Sequence, residues 1–335
     1  MSGAPRVRLA RITDLAALAA LSRSATRSLG LPIGVGALSL FRLARMPLSL
    51  LRPTDLIWVH ERNGALDGFA RVERSEGDDW SLVELAGSGE DAGDVRHALL
   101  GRVAREAARA GMERVYVACA ARDGNLELLA SNAFQPYTDE MLYLRAPVDG
   151  DAALERPGSL RPANSTDGLR LLLHHRAATP TSVARMEAME ASAWDRLVRG
   201  TWAPRSCVTP LLRLLDGTTF IVEGGDTGGA PEIGGWMQVG VAREEGTEHP
   251  HALRISLAPG VNPGPIIAAG LGEIARRSAQ VGTDANATLV VRRTYERDLE
   301  AAFEEAGFAP AGELRLLVRE VRGRVSARGL LPVVG

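Results

Sequence analysis

The clearest periodic pattern of apolar and polar positions lies in residues 251–280. Apolar side chains first alternate with other residues, at Leu253, Ile255 and Leu257, which is typical of a β-strand with one buried face. Glycine and proline break this alternation at residues 259–264. Beyond the loop, apolar residues recur at helical spacing: Ile267, Leu271 and Ile274. The pattern predicts a loop leading into a helix N-terminus, whose unpaired backbone N–H groups favour a phosphate or pyrophosphate.

The same order occurs once before, in residues 80–111. There the predicted strand is followed by a glycine-containing loop and a helix with apolar residues on one face: Val95, Leu99, Val103 and Ala107. After each copy the chain predicts a short strand, a helix, a Phe-x-Pro sequence beginning at Phe134 or Phe308, and a closing strand. A whole series found twice, roughly 170 residues apart, indicates a duplicated domain.

The two halves also begin alike. A short strand precedes Asp14 in the first half and Asp167 in the second, and each aspartate is expected to help cap the helix that follows. Asn63 and Gly64 then predict a tight hairpin between two strands.

Each half therefore predicts the order β-α-α-β-β-β-α-β-α-β. This order implies an α+β fold with a mixed sheet and helices on both of its faces. We expect one domain at residues 1–148, a second at residues 159–323, and a polar linker at residues 149–158 between them.

Composition narrows the class of protein. The chain has 335 residues, 45% of them hydrophobic, which suits two domains that each bury a core. A formal net charge of −2 gives no reason to expect nucleic acid or a membrane surface as a partner. Cys119 and Cys207 lie in different halves, so we expect no disulfide framework. With no recognisable signal peptide and no apolar run long enough to span a bilayer, the sequence predicts a cytoplasmic protein.

The element order, together with the Gly-Phe-x-Pro sequence at Phe308, resembles the GNAT superfamily of acyl-CoA-dependent N-acyltransferases, here as a tandem pair. The resemblance implies acetyl-CoA or another acyl-CoA as co-substrate and an amine that attacks the thioester directly. It also implies that the fourth strand of a half and the following loop hold the acyl-CoA. In the second half the corresponding residues are Ser256, Leu257, Ala258, Gly260, Val261, Asn262, Gly264 and Ile266.

The match to the family's pyrophosphate loop, Arg/Gln-x-x-Gly-x-Gly/Ala, is partial in the second half. Gly264 agrees with it, whereas Val261 and Ile266 depart from it. Pro263 and Pro265 also remove two N–H donors. The first half departs further, because only a glycine at 93 agrees and three acidic residues surround it: Glu90, Asp91 and Asp94. We therefore expect the acyl-CoA in the second half and a degenerate loop in the first.

The family uses a carboxylate as general base, and Glu84 is the candidate here. The strand pattern places it on one face with Leu82 and Trp80, where apolar neighbours would raise the carboxylate pKa toward neutrality. The alternative is that Glu84 is an ordinary strand residue in contact with solvent.

The family's proton-donating tyrosine has no direct counterpart. Leu129 and Phe303 occupy the two equivalent positions, and neither carries a dissociable proton. Tyr295, with Tyr137 as a second choice, lies close enough in sequence to replace it.

Other residues have a functional and a structural interpretation. The acidic residues and histidines that end at His251 suggest a metal, but their spacing favours an exposed polar loop, so we expect no metal. His174 and His175 are adjacent on a helix and point to different faces, as ordinary core or surface residues do. Trp194 and a segment with Trp202, Arg205 and Cys207 either line an acceptor pocket or pack between helix and hairpin. The arginines of residues 41–51 either attract an acidic acceptor or form a solvated face.

Three functions remain open. The first is transfer of an acyl group from acetyl-CoA to a small-molecule or peptide amine. The second is a non-catalytic tandem GNAT-fold protein that binds a ligand or a partner. The third takes Gly87, Gly89 and Gly93 as a dinucleotide fingerprint, which the antiparallel hairpin directly upstream disfavours. We expect either a monomer whose lobes pair as in a dimer or a homodimer.

Overall fold

The computed structural model describes residues 5–24, 55–74, 79–120, 124–151, 154–198, 206, 215–224, 233–243 and 250–321. The strands are β1 (Arg6–Leu9), β2 (Asp55–Arg62), β3 (Ala65–Arg74), β4 (Asp79–Gly87), β5 (Arg114–Ala120), β6 (Gln135–Arg145), β7 (Leu160–Pro162), β8 (Asp216–Glu223), β9 (Ile233–Val241), β10 (His251–Leu257), β11 (Thr288–Arg293) and β12 (Ala309–Glu320). The helices are α1 (Leu15–Ser24), α2 (Ala92–Arg109), α3 (Asn125–Ser131), α4 (Gly168–Ala178), α5 (Thr181–Glu187), α6 (Ala191–Val198), α7 (Pro263–Val281) and α8 (Asp298–Glu305).

Some sequence expectations lie outside the described residues. They are the second helix expected in the first half, the arginines of residues 41–51, the segment with Trp202, Arg205 and Cys207, and the acidic residues and histidine of residues 244–249. Among the described residues, no helix is both long enough and apolar enough to cross a membrane.

Twelve strands of the described chain form one sheet, in the order β1-β2-β3-β4-β5-β12-β6-β11-β10-β9-β8-β7. Neighbouring strands are antiparallel except for two pairs, β4 with β5 and β10 with β11, which are parallel. The mixed sheet and the repeated element order confirm the predicted α+β duplication. The Asn63-Gly64 hairpin is confirmed as well, since both residues have positive φ and lie between β2 and β3.

The closing strands of the two halves change places. β6 of the first half pairs with β11 of the second, and β12 of the second half pairs with β5 of the first. The exchanged strands also pair with each other over most of their length. Each half therefore completes its part of the sheet with a strand from the other half, and the sheet is continuous from β1 to β7.

One ion-pair network appears in both halves and anchors the start of each. Arg8 binds Asp14 and Glu61 in the first half. Arg161 binds Asp167 and Glu223 in the second. In both halves the arginine lowers the pKa of its aspartate, chiefly through the side-chain hydrogen bond. The same arginine, aspartate and glutamate thus form the same contacts at corresponding positions of the two halves.

The two parallel pairs separate before their strands end. β10 and β11 pair only along residues 251–253 and 288–290, and β4 and β5 only along residues 79–82 and 114–117. We call residues 254–257 and 291–293 the second-half opening, and residues 83–87 and 118–120 the first-half opening. In the chain, residues 254–257 lead through a loop into α7, and residues 83–87 lead through a loop into α2.

Close packing fixes α7 beside the second-half opening. Gly270 lies so near the sheet that an added Cβ would come within 2.6 Å of Leu253 Cδ1 and 2.9 Å of Met237 Sδ. The predicted linker is docked on the same helix, because Leu154 packs against its core and the Leu154 carbonyl accepts a hydrogen bond from Arg276 Nη1 (3.1 Å).

The strand exchange predicts that the two halves stay together after the chain is cut. A protease site inserted after Asp151 allows cleavage between β6 and β7. We expect the nicked protein to elute as one species with the mass of the 35.7-kDa chain, because β6 and β12 each remain paired within the other half. Light scattering under native conditions measures this, and separation into two half-sized species would contradict the exchange.

Candidate functional site

Within the described residues, the part of β10 beyond Leu253 presents backbone polar groups without a strand partner to the second-half opening. The His251 N–H donates to Ala287 O on the β11 side, whereas the Ala258 N–H donates to Gly234 O on the β9 side. Because successive residues of a strand face opposite edges, the N–H and C=O groups of Ile255 and Leu257 point into the opening. The backbone of Ser256, predicted to contact the acyl-CoA, faces β9 instead. Ile255 was missed because the sequence does not show which edge of a strand stays unpaired.

A carboxylate lies at the opposite edge of the same opening. Thr294 N–H donates to Asp139 O on β6, so the backbone of Arg293 faces away from β6 and toward β10. The Arg293 N–H donates to Glu296 Oε2 (2.9 Å), and the Glu296 N–H donates back to Arg293 O (3.0 Å). Glu296 thus occupies the edge of β11 where the parallel ladder would otherwise continue.

The environment of Glu296 suits a general base. Burial raises the pKa of this carboxyl group to about 7, although the Arg293 N–H bond and the Arg293 and Arg254 side chains act in the opposite direction. A carboxylate that titrates near neutral pH takes up and releases a proton at physiological pH. The sequence analysis missed Glu296, whose only local signal is its place three residues beyond a strand.

The loop before α7 forms as predicted but offers few donors. Gly260 has φ +84°, and the Val261 N–H closes a turn on Ala258 O (3.2 Å). The Asn262 side chain accepts a hydrogen bond from the Gly264 N–H (3.1 Å), and prolines occupy positions 263 and 265. Ile266, another predicted contact, packs in the core beneath the helix with an exposure of 3%.

Buried charges lie on the sheet face that carries α4, α5 and α6. The Arg293 guanidinium contacts Glu140 of β6 (2.9 Å) and Glu187 of α5 (2.7 Å). All three side chains are at most 2% exposed. The Ser206 hydroxyl donates to the second oxygen of Glu140 (2.9 Å). This cluster joins the two halves directly behind the second-half opening.

Tyr295 belongs to a chain of hydrogen-bonding groups in the same region. Its hydroxyl is hydrogen-bonded with Thr179, whose hydroxyl lies 3.0 Å from His175 Nδ1. His175 Nε2 lies 3.4 Å from Glu187. Burial raises the pKa of the Tyr295 phenol above its ordinary value, so the hydroxyl keeps its proton at neutral pH. The second-choice tyrosine, Tyr137, has its pKa raised by burial in the same way.

His174 and His175 are both core residues, one of the ordinary placements expected from the sequence. Both are buried, and His174 Nε2 lies 3.2 Å from the Ser256 hydroxyl at the end of β10. Burial lowers the pKa of each histidine to about 4, assisted by Arg293 in the case of His175. Both imidazoles are therefore neutral at physiological pH.

Solved structures show which fold this is, although no protein-family profile and no curated protein sequence matches the chain. A GCN5-related N-acetyltransferase from Sphaerobacter thermophilus superposes with a TM-score of 0.58 at 14% identity, covering 95% of this chain and 96% of that one. A tandem GNAT protein from the clavulanic acid biosynthesis pathway, without acetyl-CoA, gives 0.57 at 11% identity, covering 95% and 99%. The chain has the tandem GNAT fold.

The two halves of this tandem GNAT fold carry different chemistry at their openings. The residues that correspond to Arg293 and Glu140 are Ala120 and Leu314, which face each other on β5 and β12. The Arg293–Glu140 pair of the second half is therefore replaced by two apolar side chains in the first.

Glu84, the predicted base, is placed differently from the sequence expectation. A β-bulge at Val83 shifts the register, so Glu84 lies opposite Arg71 and no longer shares a face with Leu82. Arg71 contacts both Glu84 (2.8 Å) and Glu73 (3.0 Å), and its side chain is fully buried. Glu84 is thus one member of a buried ion pair rather than a carboxylate among apolar neighbours.

Two other sequence interpretations are decided by contacts. His251 is buried, unlike a residue of an exposed loop: its Nε2–H donates to Thr283 O (2.9 Å), and its Nδ1 accepts from the Ala242 N–H (3.1 Å). Trp194 packs in the core against His175 and Trp236. Trp202, Arg205 and Cys207 lie outside the described residues, within which no group of three metal-ligating side chains occurs.

The buried histidines predict that the protein is sensitive to acid. His174 and His175 have a pKa of about 4 when folded, against about 6.5 in an unfolded chain. The unfolded state therefore binds more protons below pH 6.5, and the free energy of unfolding falls as the pH decreases from 6.5 toward 4. We expect a loss of up to about 3 kcal/mol per histidine, measured by urea unfolding across this range.

Replacement of both residues, H174Q with H175Q, is expected to flatten this part of the pH dependence. H97Q is the control, since His97 is exposed on α2. An unchanged slope in the double variant would contradict the assignment.

Proposed function

We propose that this protein is an acyl-CoA-dependent N-acyltransferase whose reaction takes place at the second-half opening. The observation that carries the proposal is the Glu296 carboxylate, with a pKa of about 7, held at the β11 edge of the opening, across from β10, in a tandem GNAT fold. The acceptor is an amine of a small molecule or peptide, and acetyl-CoA is the proposed acyl donor.

The residues at the opening fit the acyl arm of such a donor. Ile255 and Leu257 offer N–H and C=O groups along β10, to which an amide-containing chain can add as a strand does. The loop before α7 is free of acidic side chains between residues 258 and 264, so it does not repel a pyrophosphate. The first-half loop carries Glu90 and Asp91, and Asp94 follows in the first turn of α2; these charges do repel it.

Each catalytic role has a candidate group. A bound acyl-CoA supplies the thioester carbonyl and a thiolate leaving group. The Glu296 carboxylate accepts the proton that the attacking amine loses as its nitrogen bonds to the carbonyl carbon. Tyr295 keeps its proton at neutral pH and donates it to the departing sulfur, and the hydrogen-bonded chain through Thr179 and His175 supports the phenol.

A non-catalytic binding protein is the second candidate. It is favoured by the start of α7, where two prolines lack N–H groups and the Gly264 N–H is already bound to Asn262. Such a helix start offers a pyrophosphate fewer donors than an unoccupied one.

We also propose that the protein acts as a monomer, because the exchanged β6 and β12 already unite its two halves. Light scattering measures this state, and a stable homodimer would contradict it.

A matched pair of substitutions tests which half binds the acyl-CoA. Gly264 and Gly93 both occupy the second helical position, of α7 and α2, and both are exposed with room for a side chain. We expect G264E to weaken acetyl-CoA binding at least about tenfold by repelling the pyrophosphate, and G93E to leave it unchanged. Calorimetric titration measures both variants.

The opposite pattern would move the site to the first half. Absence of acetyl-CoA binding in the wild-type protein would favour the non-catalytic alternative.

Replacement of Glu296 tests the base. E296Q keeps an oxygen acceptor for the Arg293 N–H but cannot take up the amine proton. We expect amine-dependent release of CoA to fall by about 10²–10⁴-fold while acetyl-CoA binding is retained. The wild-type rate is expected to rise with pH through about 7, as Glu296 loses its proton.

Thiol detection over a panel of primary amines measures this turnover. E300Q is the control, because Glu300 lies four residues further on and its side chain is 49% exposed. Equal turnover of E296Q and the wild-type protein would rule out Glu296 as the base.

A further inference from the structure

The turn that carries Tyr295 and Glu296 is fastened to a strand of the first half. The last described ladder pair between β11 and β6 joins Arg293 and Glu140. One residue later, the Thr294 N–H still donates to Asp139 O on β6 (3.2 Å). Among the described residues, the backbone pairing on the β6 side of this turn therefore comes from the exchanged strand.

Ion pairs between side chains also connect this turn to the first half. Arg293, whose backbone holds Glu296, places its guanidinium between Glu140 of the first half and Glu187 of the second. Glu140 is fully buried and receives a further hydrogen bond from the Ser206 hydroxyl. A carboxylate so enclosed has little freedom to move, and its charge acts through a poorly screening interior.

We infer that the first half forms part of the second half's site, with Glu140 acting as a positioning residue for the Glu296 carboxylate. Glu140 balances the charge of Arg293 and so limits the attraction of that guanidinium for Glu296. The first half then contributes to the reaction without a functional acyl-CoA loop of its own. The catalytic part of this inference rests on the proposed function.

The charged groups that face Glu296 come from three strands. Arg254 on β10 and Arg293 on β11 lower the pKa of Glu296, whereas Glu140 on β6 raises it, in addition to the larger effect of burial. Removal of the Glu140 charge is therefore expected to make Glu296 more acidic.

The experiment measures the pKa of Glu296 directly, by NMR titration of protein labelled with ¹³C at the glutamate carboxyl carbons. The Glu296 signal is assigned by its absence in E296Q. We expect a value near 7 in the wild-type protein and a value about 0.5 to 1 unit lower in E140Q. E187Q is the matched control, because Glu187 is equally buried and also contacts Arg293, but Glu140 and not Glu187 is among the main influences on the pKa of Glu296. The pKa of Glu296 should shift less in E187Q than in E140Q.

An unchanged Glu296 pKa in folded E140Q would overturn the inference. If E140Q does not fold, E140D keeps a buried charge but withdraws it from Arg293 by one methylene, and a smaller shift in the same downward direction is expected. Acetyl-CoA titration of the same samples separates the two proposals. If acetyl-CoA binds but E140Q leaves the pKa of Glu296 unchanged, only the role of Glu140 is refuted. If acetyl-CoA does not bind, the acyltransferase proposal is refuted.

Discussion

The exchange of closing strands is the constraint on which the rest of this molecule depends. It brings β6 of the first half beside β11 of the second, so that Arg293 meets Glu140 across the ladder. A guanidinium this deeply buried needs its partners, since leaving one charge of such a cluster unpaired costs about 3–5 kcal/mol. The exchanged strand therefore neutralises a buried charge and also fixes the turn that leads into the second-half opening.

Local sequence signals predicted the parts of the fold that local physics determines. The Asn63-Gly64 hairpin follows from two residues that tolerate positive φ, and the strand, loop and helix around Gly260 follow from alternating and helical periodicity. Strand order across the sheet is a tertiary property, so the exchange of β6 and β12 could not be predicted from these patterns. The bulge at Val83 and the turn at Glu296 were missed for a related reason, because each depends on how neighbouring strands pair.

The two halves record a duplication that kept its framework and changed its chemistry. Arg8 with Asp14 and Arg161 with Asp167 form the same contacts in both, which preserves the start of each half. At the second-half opening the pair is Arg293 and Glu140, whereas the corresponding residues of the first half are the apolar Ala120 and Leu314. The contacts that anchor the start of each half are therefore the same in both, whereas the residues at the two openings differ.

The length of the two outermost strands has a consequence for solubility. Within the part of the chain that the structure describes, the sheet ends in two edges, β1 with four residues and β7 with three. Each edge carries an arginine, Arg8 or Arg161, and β7 ends in Pro162, which has no N–H to donate. Short, charged edges interrupted by proline resist the addition of a strand from another molecule. These two strands are thus poor templates for aggregation.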